Sequence, residues 1–480
     1  MTYRTHQQKR WLALIVLCLG VLMIVLDTTI VNVALPSIQA DLGFSETSLV
    51  WVVNAYMITF GGFLLLGGRL GDLFGNRRVF LFGIVLFTLA SLACGLAGSQ
   101  GLLIGARAVQ GFGGAIVSAV SLSMIMSLFS EPAERAQAMG VYGFVCAGGG
   151  SIGVLLGGVL TSTLSWHWIF LVNLPVGIAV CALCVALLQG GPGQAASSGR
   201  LDVAGAAAVS ASLMLAVYAI VNGNQAGWAS AQTLAMLVCA IMLLAVFVGI
   251  EARVRNPLMP LGLFRLRNVA IANVVGVLWA AAMFAWFFIS ALYLQRVLGY
   301  TALQVGLAFL PANLIMAAFS LGLSARMVMR LGIRPTLSIG LLLAAIGFAL
   351  FSRVPIDGVF ALDVLPVMVL LGAGAGMAFN PLLLAAMSDV HPGESGLASG
   401  VVNTSFMMGG ALGLAILASL AAARTGGLLR FGAESLAALA GGYRLAFISG
   451  AVLAAAAALI GGAYLRAADS LATDPEVPRS

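Results

Sequence analysis

Residues 11–36 read W-L-A-L-I-V-L-C-L-G-V-L-M-I-V-L-D-T-T-I-V-N-V-A-L-P. This run is apolar or weakly polar throughout, except for one carboxylate, Asp27. A helix that crosses a bilayer needs about 20 such residues, so the stretch is long enough to span. Arg4, Lys9 and Arg10 precede it, and no small-residue cleavage site follows. It therefore reads as a first membrane span and not as a signal peptide.

Thirteen further runs follow, at about 47–67, 79–98, 102–128, 136–160, 168–189, 201–221, 231–250, 268–294, 303–324, 335–351, 363–387, 398–420 and 441–465. Each must be helical, because in hydrocarbon the backbone polar groups find partners only within a helix or a closed barrel. The period-two alternation of barrel strands is absent. Composition agrees: 61% of the 480 residues are hydrophobic and 8% are charged, against roughly 25% in soluble domains. The expected fold is an all-α membrane protein with fourteen transmembrane helices.

The net charge of +7 is spread over short loops in no patch, so nucleic acid is not an expected partner; the bilayer is. With the N-terminus inside, the cytoplasmic segments hold 17 basic residues: Arg4, Lys9, Arg10, Arg69, Arg77, Arg78, Arg135, Arg200, Arg253, Arg255, Arg265, Arg267, Arg326, Arg330, Arg334, Arg466 and Arg479. The opposite loops hold four, Arg296, Arg353, Arg424 and Arg430. That asymmetry places both termini in the cytoplasm of a protein of the cell inner membrane.

A Gly/Ser/Pro-rich linker at 190–200 and a basic, proline-containing break at 251–267 divide the spans into six, two and six. The expected domains are an N-terminal six-helix bundle (1–189), a linker with two additional helices (190–267) and a C-terminal six-helix bundle (268–480). G-R-L-G-D-L-F-G-N-R-R (68–78) has a degraded counterpart in A-R-M-V-M-R-L-G-I-R (325–334), in which Gly75 aligns with Gly332 and Arg77 with Arg334. Repeated halves about a central site mark transporters.

Ionisable residues inside a bilayer are costly and mostly functional. Only Asp27 among the acids and Arg107 among the bases lie well inside a span. They stand roughly 14 Å and 8 Å from the same end of their helices, close enough in depth for Arg107 to reach Asp27. Burial disfavours the charged carboxylate while a guanidinium favours it, so a group balanced between the two can bind and release a proton. A cationic substrate would compete for the same carboxylate. The alternative is a static buried pair that fixes packing.

In the loop after span two, Asp72, Arg77 and Arg78 stand among Gly68, Gly71 and Gly75, a gating latch between rocking halves or a set of solvated loop charges. Gly149, Gly153, Gly157 and Gly158 in span five suit close helix packing. The nearby Gly148, Gly150 and Gly153 match G-x-G-x-x-G in form, but no strand precedes them and the dinucleotide reading fails. There is no phosphate-binding G-x-x-x-x-G-K-[ST], and Lys9 is the only lysine, which argues against ATP as the energy source. His6, His167 and His391 are dispersed, the six cysteines lie in apolar runs, and no nucleophile–base arrangement is present. No metal, no cofactor and no enzymatic activity are expected. The C-x-x-C at Cys181 and Cys184 falls mid-span and reads as packing.

For a substrate cavity the candidates are Trp279, Met283, Trp286 and Phe287 of span nine, with Phe284 and Phe288 beside them. Aromatic rings and thioethers make a deformable wall for hydrophobic cations, although lipid-facing aromatics are also common. Polar candidates are Asn54 and Tyr56 (span two), Gln110 (span four), Asn313, Asn380 and Asn403.

Several of these stretches resemble one family. L-D-T-T-I-V-N-V-A-L-P-S-I (26–38) resembles the first-helix signature of the fourteen-helix drug:proton antiporters of the major facilitator superfamily. Residues 68–78 resemble the superfamily's motif A, and L-I-G-A-R-A-V-Q-G (103–111) resembles motif B. W-H-W-I-F-L-V-N-L-P-V-G (166–177) and G-L-A-S-G-V-V-N-T (396–404) look like this subfamily too. The resemblance implies two six-helix bundles rocking about a central cavity, with Asp27 carrying the coupling proton and Arg107 taking part in its transfer. It implies efflux of hydrophobic, cationic drugs by a monomer, with or without a periplasmic adaptor. The chain departs from the family pattern at Leu73 and Asn76, which replace basic residues of motif A, and at Phe406 and Met407, where Arg-Gln is frequent. It also has Val154 where the antiporter motif of span five has Pro. An exporter of one metabolite or siderophore is the nearest alternative. A fourteen-helix proton-driven peptide importer would carry E-x-x-E-R in span one, which is absent, and a membrane sensor or channel would not need the buried pair.

Overall fold

A computed structural model describes residues 2–129, 131–187, 202–254, 257–387, 390 and 395–466. The linker 190–200 and residues Arg200, Arg255, His391 and Arg479 lie outside the described residues. So do the side chains of Arg4, His6, Lys9, Asp72, Arg135 and Cys146.

The decisive first run lies in one long helix, α1 (Thr2–Leu42). Next come α2 (Trp51–Phe74), α3 (Asn76–Gly95), α4 (Gln100–Leu128) and α5 (Pro132–Thr163). A short turn α6 (Trp168–Leu171) leads into α7 (Asn173–Leu187). The additional pair is α8 (Val203–Ala226) and α9 (Ala231–Glu251). The rest of the chain forms α10 (Arg267–Arg296), α11 (Ala302–Ala318), α12 (Ser324–Leu331), α13 (Ile333–Phe351), α14 (Leu365–Met387), α15 (Ser395–Arg430) and α16 (Ser435–Tyr464).

Local chemistry sets the ends. Ser99, Asp202, Ser230 and Thr301 cap α4, α8, α9 and α11 by accepting a backbone N–H of the first turn, and Thr301 with Gln304 completes a capping box. Only Gly75 separates α2 from α3, at φ 88°, and only Gly332 separates α12 from α13, at φ 89°. Both angles lie in the region that favours glycine. The sequence echo is therefore matched by a conformational one.

Among the described residues, twelve helical stretches are long and apolar enough to cross a membrane. The other two expected spans are present as shorter apolar stretches, Ile152–Thr163 within α5 and Ala302–Ala318. The tenth run, 303–324, is not one straight helix. After α11 a single π turn (Phe319–Leu323) contains Gly322 at φ 139°, and the chain bends there into α12. π turns and glycines of this kind are recurrent sites of helix distortion.

In the N-terminal half α1 packs on α5, and α4 on α2 and α3. In the C-terminal half α10 packs on α15 and α16, and α13 on α14. The halves meet where α5 crosses α11 and where α2 crosses α15, and the α8–α9 hairpin leans on α2 and α15. Glycines permit the closest approaches. Gly149 faces Leu22 and Val25, Gly153 faces Leu26 and Thr29, and Gly157 faces Ile30 and Val33, a stripe at four-residue spacing along α1. Gly158 turns to Ala302 and Leu303 of α11. A β-carbon on Gly157 would stand 2.6 Å from the Ile30 carbonyl oxygen. Gly157→Val is accordingly expected to destabilise the protein by about 1–3 kcal/mol or more, seen as a lower melting temperature. Gly101→Ala, with nothing near its added carbon, should have little effect.

Candidate functional site

Five side chains from four helices meet inside the N-terminal half. α4 presents Arg107 and Gln110 three residues apart, hence on one face. α1 contributes Asp27, α3 contributes Ser91, and Asn173 opens α7. All five are buried, with Asp27 at 0% and Arg107 at 1% exposure.

Arg107 Nη1 donates to Asp27 Oδ2 at 2.5 Å and to Gln110 Oε1 at 2.6 Å. Its Nε donates to the Val52 carbonyl of α2 at 2.9 Å. Gln110 Nε2 donates to Asp27 Oδ1 at 2.7 Å and to Ser91 Oγ at 2.8 Å. Asn173 Nδ2 reaches Asp27 Oδ1 at 3.1 Å. Ser91 Oγ donates in turn to the Phe87 carbonyl at 2.8 Å. The guanidinium also lies over the Tyr56 ring at 4.4 Å and near Phe170 at 5.6 Å.

Desolvating two charges costs several kcal/mol each, and the geometry must offset it. Here it does so by saturation: three donors converge on one carboxylate, and the guanidinium is held by a carbonyl and two side-chain acceptors. In this arrangement Asp27 has no donor role to fill, so it sits as an acceptor. Taking up a proton would break at least one of these charge-assisted bonds and loosen α1 from α4 and α7.

The comparisons with known proteins agree on one family. The model of the Major Facilitator Superfamily matches residues 17–414. The chain belongs to the Major Facilitator Superfamily. It is 40% identical over 423 residues to the puromycin resistance protein pur8 of Streptomyces alboniger, covering 88% of this chain and 84% of that one. It is 39% identical to the cephamycin export protein CmcT of Amycolatopsis lactamdurans, over 93% of this chain and 91% of that one. The multidrug resistance protein Stp of Mycobacterium tuberculosis is 36% identical, over 86% of this chain and 76% of its own length. The protein is thus a multi-pass membrane protein of the transporter type.

Within this superfamily fold the remaining expected residues divide. Tyr56 packs under Arg107, while Asn54 Nδ2 crosses between the halves to the Ala411 carbonyl at 2.9 Å. Met283, Phe287 and Asn380 are half-buried, Asn403 is half-buried and engaged, and Asn313 is buried. Trp279 and Trp286 are fully enclosed, so in this structure they line no cavity, contrary to the expectation. Trp286 packs with Phe287 and Phe309 (centroids 4.5 and 6.0 Å), filling the contact of α10 with α11.

The better wall is elsewhere. Phe406 makes edge-to-face contacts with Phe284 (6.0 Å) and Phe379 (5.9 Å). Met57 approaches Phe284 beside Gly410, and Met407 lies against Gly61. This aromatic and thioether surface joins α2, α10, α14 and α15 at the seam between the halves. The apolar residues at 406 and 407 sit in its middle.

Of the loop residues, Asp72 has its side chain outside those described. Arg77 Nη2 donates to the Val185 carbonyl at 3.0 Å, neutralising the end of α7 within the same half. Arg78 is exposed, and no side chain stands near Gly68. Sequence reasoning missed Met57, Ser91 and Phe379 and gave Asn173 no role. Asn173 had a signal, an amide within residues 166–177; Ser91 had none.

Proposed function

We propose that this transporter exports drug-like antibiotics across the cytoplasmic membrane by alternating access, driven by proton entry through Asp27. What supports the coupling is the buried Asp27 carboxylate, whose three donors come from two other helices, α4 and α7. The relatives named for puromycin resistance, cephamycin export and multidrug resistance support a drug-like cargo. The seam of Met57, Phe284, Phe379, Phe406 and Met407 fits a flat, hydrophobic cation.

In this reading substrate entering from inside drives the proton off Asp27, which is left ionised and bonded to Arg107. Opening toward the outside lets a proton reach the carboxylate, which releases Arg107 and Gln110 and with them the grip of α4 on α1. Return inward carries the proton to the cytoplasmic side, where the next substrate displaces it. We further propose fourteen spans, the two stretches that fall short included, with a six–two–six division, both termini cytoplasmic and a monomeric working unit with no obligatory adaptor. In that topology the loop after α1 that carries Glu46 and the end of α10 that carries Arg296 face outward.

Those ends are closed. Arg296 Nη1 meets Glu46 Oε1 at 3.0 Å, and Gln295 Nε2 donates to the Val33 carbonyl at 3.0 Å. A part-exposed pair of this kind is worth about 0.2–1 kcal/mol, up to about a fivefold change in population. Arg296→Gln should leave folding intact and favour outer opening by that factor. The measurement is faster labelling of a cysteine at buried position 33 by an outside maleimide.

The function is tested in everted vesicles by ethidium accumulation under an imposed pH gradient, acid inside. Uptake should require the gradient and collapse with a protonophore. Uptake indifferent to the gradient would refute proton coupling. No uptake of ethidium, with transport of a single antibiotic instead, would favour the narrower exporter.

A further inference from the structure

The additional hairpin holds a pair of buried acids, far from Asp27 in the chain and unused by the transport scheme. Asp202 caps α8, its Oδ1 accepting the Gly205 N–H at 2.7 Å. Glu251 ends α9, its Oε2 accepting the Met259 N–H at 3.0 Å. Their exposures are 6% and 3%. The second oxygen of each, Asp202 Oδ2 and Glu251 Oε1, is buried with no hydrogen-bond partner. Both point at one spot: a β-carbon on Gly205 would stand 2.6 Å from the first and 2.9 Å from the second. The two carboxyl groups are within hydrogen-bonding reach of one another.

Arg253, two residues after Glu251, is exposed. Among the described residues neither acid belongs to an ion pair. Leu66 of α2, Ala206 and Leu258 form an apolar cluster beside them. On the packed elements, α15 has only Arg424 and Arg430, at its opposite end, and α2 has only Arg69 and Asp72, beyond Leu66. Two ionised carboxylates in contact in such surroundings would repel without relief, and two acceptors cannot bond each other. We infer that Asp202 and Glu251 form a second proton-binding site, sharing one proton between their two unpartnered oxygens. The shared proton ties the end of α9 to the start of α8. Through the Met259 N–H it also fixes the segment that leads into α10.

The site is tested on the full-length protein in lipid nanodiscs, in an Asp27→Asn background that removes the transport carboxyl. Infrared spectra should contain a protonated-carboxyl C=O band at neutral pH that disappears on alkalinisation. Glu251→Gln and Asp202→Asn should each remove the band. Glu251→Gln is the more conservative, since its amide can donate to Asp202 while its oxygen keeps the Met259 N–H. The melting temperature gives an independent reading. In water the unfolded acids are ionised near neutral pH, so only the folded state keeps the extra proton, and raising pH must favour unfolding. The melting temperature of the parent should therefore fall as pH rises from neutral, and that of Glu251→Gln should stay flatter. Absence of the band at neutral pH, or its persistence in both variants, would overturn the inference. So would a melting temperature that climbs with sodium or calcium chloride at alkaline pH in the parent alone, because a metal cation would then hold the site.

Discussion

Asp27→Asn is expected to abolish proton-driven efflux, reducing ethidium transport to the level of vesicles that lack the protein. The amide is nearly isosteric, and its oxygen can still accept from Arg107 at the 2.5 Å contact now filled by Asp27 Oδ2. What disappears is the site that takes and gives up a proton. Arg107 is left as a buried cation without its anion, a change that costs about 3–5 kcal/mol when one partner of such a pair is removed outright. The retained acceptor should hold the loss to the lower end of that range. The variant is therefore expected to reach the membrane at reduced yield, bind substrate and fail to couple. Vesicle transport normalised to protein amount checks the first part, and the melting temperature checks the second.

Arg107→Ala should cost more stability than any other single change in the site. It removes the donor to Asp27, the donor to Gln110 and the bond to the Val52 carbonyl, and it empties the space over the Tyr56 ring. The expected loss is about 3–5 kcal/mol for the broken pair, with lost packing added to it. Lysine should rescue little, because a point charge cannot engage Asp27 and Val52 together and stack on Tyr56. Combining Asp27→Asn with Arg107→Gln should cost less than the sum of the single changes, since neither partner is then left charged and alone. Melting temperatures of the three purified variants measure that coupling. Additive losses would show that the two residues do not act as a unit.

The parts of this site that could be read in advance are those in which charge interrupts an apolar run. Asp27 and Arg107 stood out because nothing else of their kind lies so deep, and Gln110 shares Arg107's face by helical spacing. Ser91 could not be seen, because a lone serine in an apolar helix is ordinary until its neighbours are known. Trp279 and Trp286 were misplaced for a related reason. α10 is apolar on nearly every side, so its sequence carries no phase to tell a cavity face from a packed one. The bend at Gly322 was hidden in the same way inside the run 303–324. Asp202 and Glu251 looked like ordinary charges at span ends, and only the fold brings residues 49 apart in the chain together. The repeat of Gly75 in Gly332 was legible because corners need particular residues.

If substrate and proton compete for Asp27, substrate binding must release protons from the protein. Ethidium would be added to purified protein in weakly buffered detergent solution, with pH followed by a dye indicator. Wild-type protein should release protons as substrate binds, and Asp27→Asn should bind without release. Equal release from both proteins would place the coupling proton elsewhere and leave the Asp27–Arg107 pair a structural one.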